Sequence, residues 1–299
     1  MSKTNGNNRF TQGEGNPQKI KVLLYHRILS NGNSEDSTNI GVSKETFRRQ
    51  IDMLDRWGYT AITFDDYRLF LEGELNLPKK PIIITFDDAY SDIHEVAMSI
   101  LREYGMKAVV FVVGDLSIRE SVWDESIGPV HTLLTESQIL ELHEEGFEIG
   151  SHTLSHPKLP NIDSERVWEE LTKSRIALEI LLNSPVRSFA YPYGLTSKTV
   201  KQMVYDSGYT VACGAYSGPP LFGFDYFEIR RIKVRNTSNP IQFWFQLQKV
   251  YLYYRWFLWK AKSRVLGVLN RTQDKETPED PVAIKHSAFV STELVENSE

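Results

Sequence analysis

One cysteine, Cys213, is all that the 299 residues contain. That excludes an internal disulfide and a zinc site built from thiolates. No run reaches the roughly 18 or more consecutive apolar residues that a membrane-spanning helix needs. The first eighteen residues are polar and lack the apolar segment of a secretion signal. Basic residues are not in excess either: 34 Lys and Arg face 39 Asp and Glu, for a net charge of −5. A nucleic-acid partner is therefore not expected. The expectation is a soluble chain, cytoplasmic or peripheral to a membrane, and long enough to bury a core.

What is present alternates. Apolar runs rich in β-branched and aromatic residues predict strands at 20–25, 59–64, 82–86, 108–113, 147–151, 186–190, 210–213 and 229–234. Between them, capping residues and apolar spacing predict helices. Ser43 opens one that Gly58 stops, and Thr135 with Gln138 forms a capping box for one that Gly146 closes. Others follow residue 93, span 164–182 and run from Ser197 to Gly208. Residues 1–18 and 271–299 read as disordered, the latter acidic. Residues 19–238 read as one α/β domain with a mainly parallel sheet. Spacing does not separate a barrel from an open sheet. In both, ligands gather at the carboxyl ends of the strands. His26, Asp87, Asp88, His152 and Tyr193 all stand just past such ends.

The central stretch is 81–94. There the strand 82–86 runs into two adjacent carboxylates, Asp87 and Asp88. Paired acids at the exit of a buried strand are hard to justify as packing. They make sense if one binds a metal and the other handles a proton. His152 and His156 lie four residues apart, and two imidazoles with a carboxylate form a common ligand set for zinc or a similar divalent ion. A near copy of the central motif, Thr63-Phe64-Asp65-Asp66, follows a more polar run. We read its acids as a helix start.

Thr85-Phe86-Asp87-Asp88, the segment from His152 to Pro157, and Tyr191-Pro192-Tyr193-Gly194 resemble, in that order, three motifs of the polysaccharide deacetylase family, the NodB-homology carbohydrate esterases. The resemblance spans residues 20–234 and makes 19–238 a catalytic domain. It implies an irregular (β/α) barrel that removes N- or O-acetyl groups from sugars. It further implies Asp87 as general base and Asp88, His152 and His156 as metal ligands. The ion would be zinc first, with cobalt, nickel or manganese as alternatives. The Tyr193 backbone N–H would help hold the oxyanion. Two family features are missing: the third motif has no arginine, and no Leu-x-His follows residue 234. Both gaps are similar to the circularly permuted branch that deacetylates poly-N-acetylglucosamine. That likeness makes His26 the general acid, poised by a nearby carboxylate, and Arg231 the arginine beside the base. An inactive glycan-binding relative and a metal-dependent phosphoesterase remain as alternatives; no basic or glycine-rich phosphate cradle supports the second.

Aromatic residues in expected loops or helix starts, Tyr90, Trp123, Tyr193 and Tyr216, are candidates to stack on a sugar ring, with Trp123 beside Asp124 foremost. Residues 239–270 change character, with aromatic side chains crowded among Lys249, Arg255, Lys260, Lys262 and Arg264. Two readings stay open for residues 240–264: a helix that covers the domain, or one that lies in an anionic membrane interface.

Overall fold

The structure, a computed structural model, describes residues 20–30, 40–126, 128–214, 225–234, 236, 239–248, 250, 251, 253, 254, 257, 258 and 261. The expected leader, the acidic tail and Tyr216 lie outside these. The chain opens with β1 (Lys21–Tyr25), followed by β2 (Arg27–Leu29) and β3 (Gly41–Ser43), which pair with each other in a small separate sheet. The side chain of Ser43 accepts the Thr46 N–H and starts α1 (Lys44–Arg56). Next come β4 (Thr60–Ala61), α2 (Phe64–Leu71), β5 (Pro81–Phe86) and α3 (Met98–Glu103), the last entered through a π-helical turn at Ile93–Ala97. β6 (Val109–Val112), α4 (Glu136–Glu144), β7 (Glu148–Ser151), α5 (Ser164–Leu182) and β8 (Ser188–Ala190) continue the alternation. α6 (Lys198–Asp206), β9 (Val211–Gly214), β10 (Ile229–Arg230), β11 (Ile232–Lys233) and α7 (Pro240–Gln246) complete it.

The main sheet has the order β10-β9-β8-β7-β6-β5-β1-β11, with β4 also on β5, and every pair is parallel. Its two outer strands are consecutive in the chain and separated by Arg231 alone. The sheet therefore curls into a nearly closed barrel. Here the expectation of one strand at 229–234 is corrected: Ile229 pairs with Cys213 of β9, and Ile232 with Leu23 of β1, so the chain must break between them. Expected strand 59–64 is also shortened. Thr63 instead caps α2, accepting the Asp66 N–H while the Asp66 carboxylate accepts the Thr63 N–H.

Central β5 is covered on both faces, with Ile82, Ile83, Ile84 and Phe86 fully buried, as its unbroken apolar run requires. Gly150 of β7 sits opposite Phe111 of β6, and a Cβ there would fall 2.5 Å from the Phe111 ring. Among the described residues no helix is long and apolar enough to cross a membrane.

Candidate functional site

Loops leaving β5, β7 and β8 carry the site, and their backbone is strained at the same points. Among the described residues six non-glycines have positive φ, and five are Asp88 (71°), Ala89 (56°), Thr153 (66°), His156 (63°) and Tyr193 (58°). The sixth, Asn183, ends α5. Left-handed backbone costs such residues about 1–2 kcal/mol each, and it persists where surrounding structure imposes it. At Asp88, His156 and Tyr193 it brings the side chains together.

The Asp88 Oδ1 atom lies 3.2 Å from His152 Nε2 and 3.1 Å from His156 Nε2. The three side chains are buried, and their ligand atoms lie within 4.8 Å of one another. Despite the close approach, Asp88 Oδ1 receives no hydrogen bond. His152 Nδ1 is 2.8 Å from the Ala190 carbonyl, which only an N–H there can satisfy. Burial lowers the His152 pKa, but Asp88 and Asp87 raise it on balance; in its neutral form the ring turns a bare lone pair towards the carboxylate. A cation resolves that confrontation, and one carboxylate with two imidazoles suits a divalent metal. Burial pushes the Asp88 carboxyl up, but the two imidazoles hold it well below its ordinary range. Burial also keeps His156 below the usual histidine value, so that its ring is a neutral donor.

The side chain of Asp87 leaves the same strand in another direction. Arg231 Nη1 donates to Oδ1 and Nη2 to Oδ2, both at 2.6 Å. The guanidinium is fully buried, and its Nε donates to the Gly214 carbonyl (2.9 Å) while Nη1 also reaches Thr85 Oγ1 (3.1 Å). It lies 5.5 Å from the centroid of the Phe111 ring. Burial raises the Asp87 carboxyl; Arg231 and then His152 more than reverse this, leaving it below the ordinary value. His26 follows β1, whose Tyr25 is paired with Phe86, so His26 and Asp87 leave neighbouring strands at the same level. Its environment corrects one expectation. Desolvation outweighs the pull of Asp88 and Asp87, and His26 sits below the usual histidine pKa.

The aromatic candidates divide. Trp123 packs on His156, ring centroids 4.4 Å apart and nearly parallel, and Tyr193 flanks the same imidazole at 4.8 Å. Tyr193 is 45% exposed. Tyr90 is a correction: its ring is 1% exposed and cannot stack on a sugar. It lies under the Arg27 guanidinium and donates its hydroxyl proton to Asp124 (2.6 Å). A loop position reveals nothing about the direction in which a ring turns.

Sequence reasoning missed the braces. Glu170 of α5 is fully buried and accepts the Ser155 N–H (2.8 Å) and hydroxyl (2.6 Å), pinning the loop between the two histidines. An acid on the apolar stripe with Val167 and Leu171 was the available signal.

Residues 74–212 match the family model described as polysaccharide deacetylase. The chain is 32% identical over 205 residues to YxkH of Bacillus subtilis (strain 168), which its name assigns to the polysaccharide deacetylases; the match covers 67% of each chain. It is 24% identical over 234 residues to a poly-beta-1,6-N-acetyl-D-glucosamine N-deacetylase of Staphylococcus aureus (strain MSSA476), covering 70% of this chain and 78% of that one. Among solved structures it resembles the Streptococcus pyogenes deacetylase PplD, determined in complex with acetate. There the TM-score is 0.67 at 26% identity, with 78% of this chain and 100% of that chain covered.

Proposed function

The chain belongs to the polysaccharide deacetylase family, and from that premise we propose that it hydrolyses the N-acetyl groups of an N-acetylated polysaccharide or oligosaccharide with the help of a divalent metal. One observation carries the reading: Asp88, His152 and His156 converge within 4.8 Å while Asp87, next in sequence, is held apart by Arg231. Two adjacent acids are thereby given separate tasks.

Asp88, His152 and His156 would hold the ion, zinc before cobalt, nickel or manganese. Bound there, it supplies Lewis acidity that polarises the acetyl carbonyl and makes water a better nucleophile at neutral pH. Asp87 is the general base. Arg231 occupies one lone pair of each carboxylate oxygen, which fixes the plane of the group and leaves a second pair to accept the proton of the attacking water. The Tyr193 N–H, set by its left-handed backbone, donates to the oxyanion. His26 protonates the departing amine. Only its charged form can donate; desolvation disfavours that form, and the Asp88 and Asp87 carboxylates favour it. Tyr193 and Trp123 line the place of the sugar beside the acetyl group.

Acetate release from N-acetylglucosamine oligomers, with and without chelator, tests the reading. Release that chelation stops and zinc restores is expected. Asp88→Asn with wild-type release would overturn it, as would binding of the oligomers with no turnover under any metal.

A further inference from the structure

Helix α7 presents apolar side chains on two faces. Phe243 and Leu247 are buried, and the Phe243 ring stacks 5.9 Å from Trp57 at the end of α1. That face attaches the helix to the domain, as one of the two sequence readings expects. Ile241, Trp244 and Phe245, three and four residues apart, are 78%, 50% and 45% exposed. The helical residues that follow repeat the pattern: Val250, Tyr253, Tyr254, Phe257 and Leu258 are all exposed, at the spacing of one helical face. On an ordinary surface helix such a stripe is turned towards the core. Of sixteen large exposed hydrophobic residues among those described, eight fall within residues 241–258, whereas the others are scattered. Single exposed hydrophobics need no explanation; a contiguous group implies a partner.

Charge identifies the partner. Residues 240–273 contain Lys249, Arg255, Lys260, Lys262, Arg264 and Arg271 and not one acid, in a chain whose net charge is −5. Two copies meeting through this segment would pair sequences that carry basic residues and no acid. Trp and Tyr favour the boundary between water and hydrocarbon, and Lys and Arg favour anionic headgroups. We propose that residues 240–264 dock on the surface of an anionic lipid bilayer.

Flotation of the full chain with phosphatidylcholine vesicles, and with vesicles that also contain phosphatidylglycerol, tests this whether or not the chain proves to be a deacetylase. The chain should float with the anionic vesicles and not with the neutral ones. Trp244→Ser combined with Phe257→Ser should reduce partitioning at least tenfold. Each of Lys260→Gln and Lys262→Gln should reduce it about fivefold, the factor that corresponds to ~1 kcal/mol per basic residue at a charged surface. All variants should keep the wild-type melting temperature. Absence of binding, or equal binding to both vesicle types, would overturn the proposal. So would a concentration-dependent dimer in sedimentation that Trp244→Ser with Phe257→Ser abolishes, which would make a second copy the occupant.

Discussion

Arg231 and Asp87 are 144 residues apart in the chain, yet they meet through two parallel hydrogen bonds of 2.6 Å. Arg231 is also the single residue between β10 and β11, the break through which the barrel nearly closes. Closure of the sheet and orientation of the Asp87 carboxylate therefore depend on the same residue. The paired charges are fully desolvated, so each relies on the other.

Arg231→Met leaves the Asp87 carboxylate buried and unpaired, and should lower stability by about 3–5 kcal/mol in urea denaturation. Arg231→Lys is the more informative change. An ammonium is a point charge and cannot grip both oxygens in a fork. The variant should fold with a smaller loss but release acetate at least tenfold more slowly, with the deficit in kcat rather than KM. Wild-type kcat in folded Arg231→Lys would eliminate the positioning role.

Metal removal should act on stability as well as on turnover. A ligand that binds the folded chain alone stabilises it by mass action, about 4 kcal/mol at a thousandfold excess over Kd. Zinc should therefore raise the melting temperature of chelator-treated protein and not that of Asp88→Asn. An equal rise in both would show that the ion binds elsewhere.

Asp92 supplies a pH test away from Asp88, His152 and His156. Its Oδ1 accepts the Ile28 N–H (2.9 Å) and Oδ2 the Arg27 Nε–H (3.1 Å), yet burial outweighs both and raises its pKa to about 6. Nearby Glu95 adds to the rise. Between roughly pH 4, where the unfolded chain loses this proton, and pH 6 the folded state retains it. The Asp92 contribution to stability therefore falls as pH rises through that window. Asp92→Asn has no proton to lose. Its stability relative to wild type should increase by about 1–3 kcal/mol from pH 4 to pH 7, measured by urea denaturation at each pH. A relative stability that declines over this interval would contradict the assignment.

Local features of the chain were legible where local physics decides. The uninterrupted apolar run of β5 announces a strand covered on both faces, and Thr135 with Gln138 forms the capping box that their spacing implies. His152, His156 and Asp88 were readable because strand ends in a parallel sheet share a rim. Contacts between distant residues were not legible in this way. Nothing in the residues around Arg231 reveals that it faces Asp87 rather than solvent; that expectation came from family resemblance alone. Tyr90 shows the opposite failure, since position in a loop was taken for exposure. The short β2 and β3 were missed because strands of three residues carry too little alternation to separate them from a loop.

The repeated tetrapeptide gives the sharpest control, because two copies of Thr-Phe-Asp-Asp have been put to different uses. At 85–88 the threonine is inside β5, its hydroxyl donating to the Leu23 carbonyl (2.7 Å), and the acids emerge at the rim. At 63–66 the threonine is a helix cap. Asp66 accepts the Thr63 N–H (2.8 Å) and receives Lys107 Nζ (2.8 Å), while Asp65 accepts from Arg68 (3.2 Å). Asp66→Ala removes the reciprocal half of a capping box and should cost about 0.5–2 kcal/mol in denaturation, with kcat/KM for acetate release unchanged. Asp65→Asn should do less, because its ion pair is partly exposed. Asp87→Asn should show the reverse profile, with release lost and the fold retained. If Asp65→Asn abolishes acetate release while Asp87→Asn spares it, the chemistry resides in the other copy.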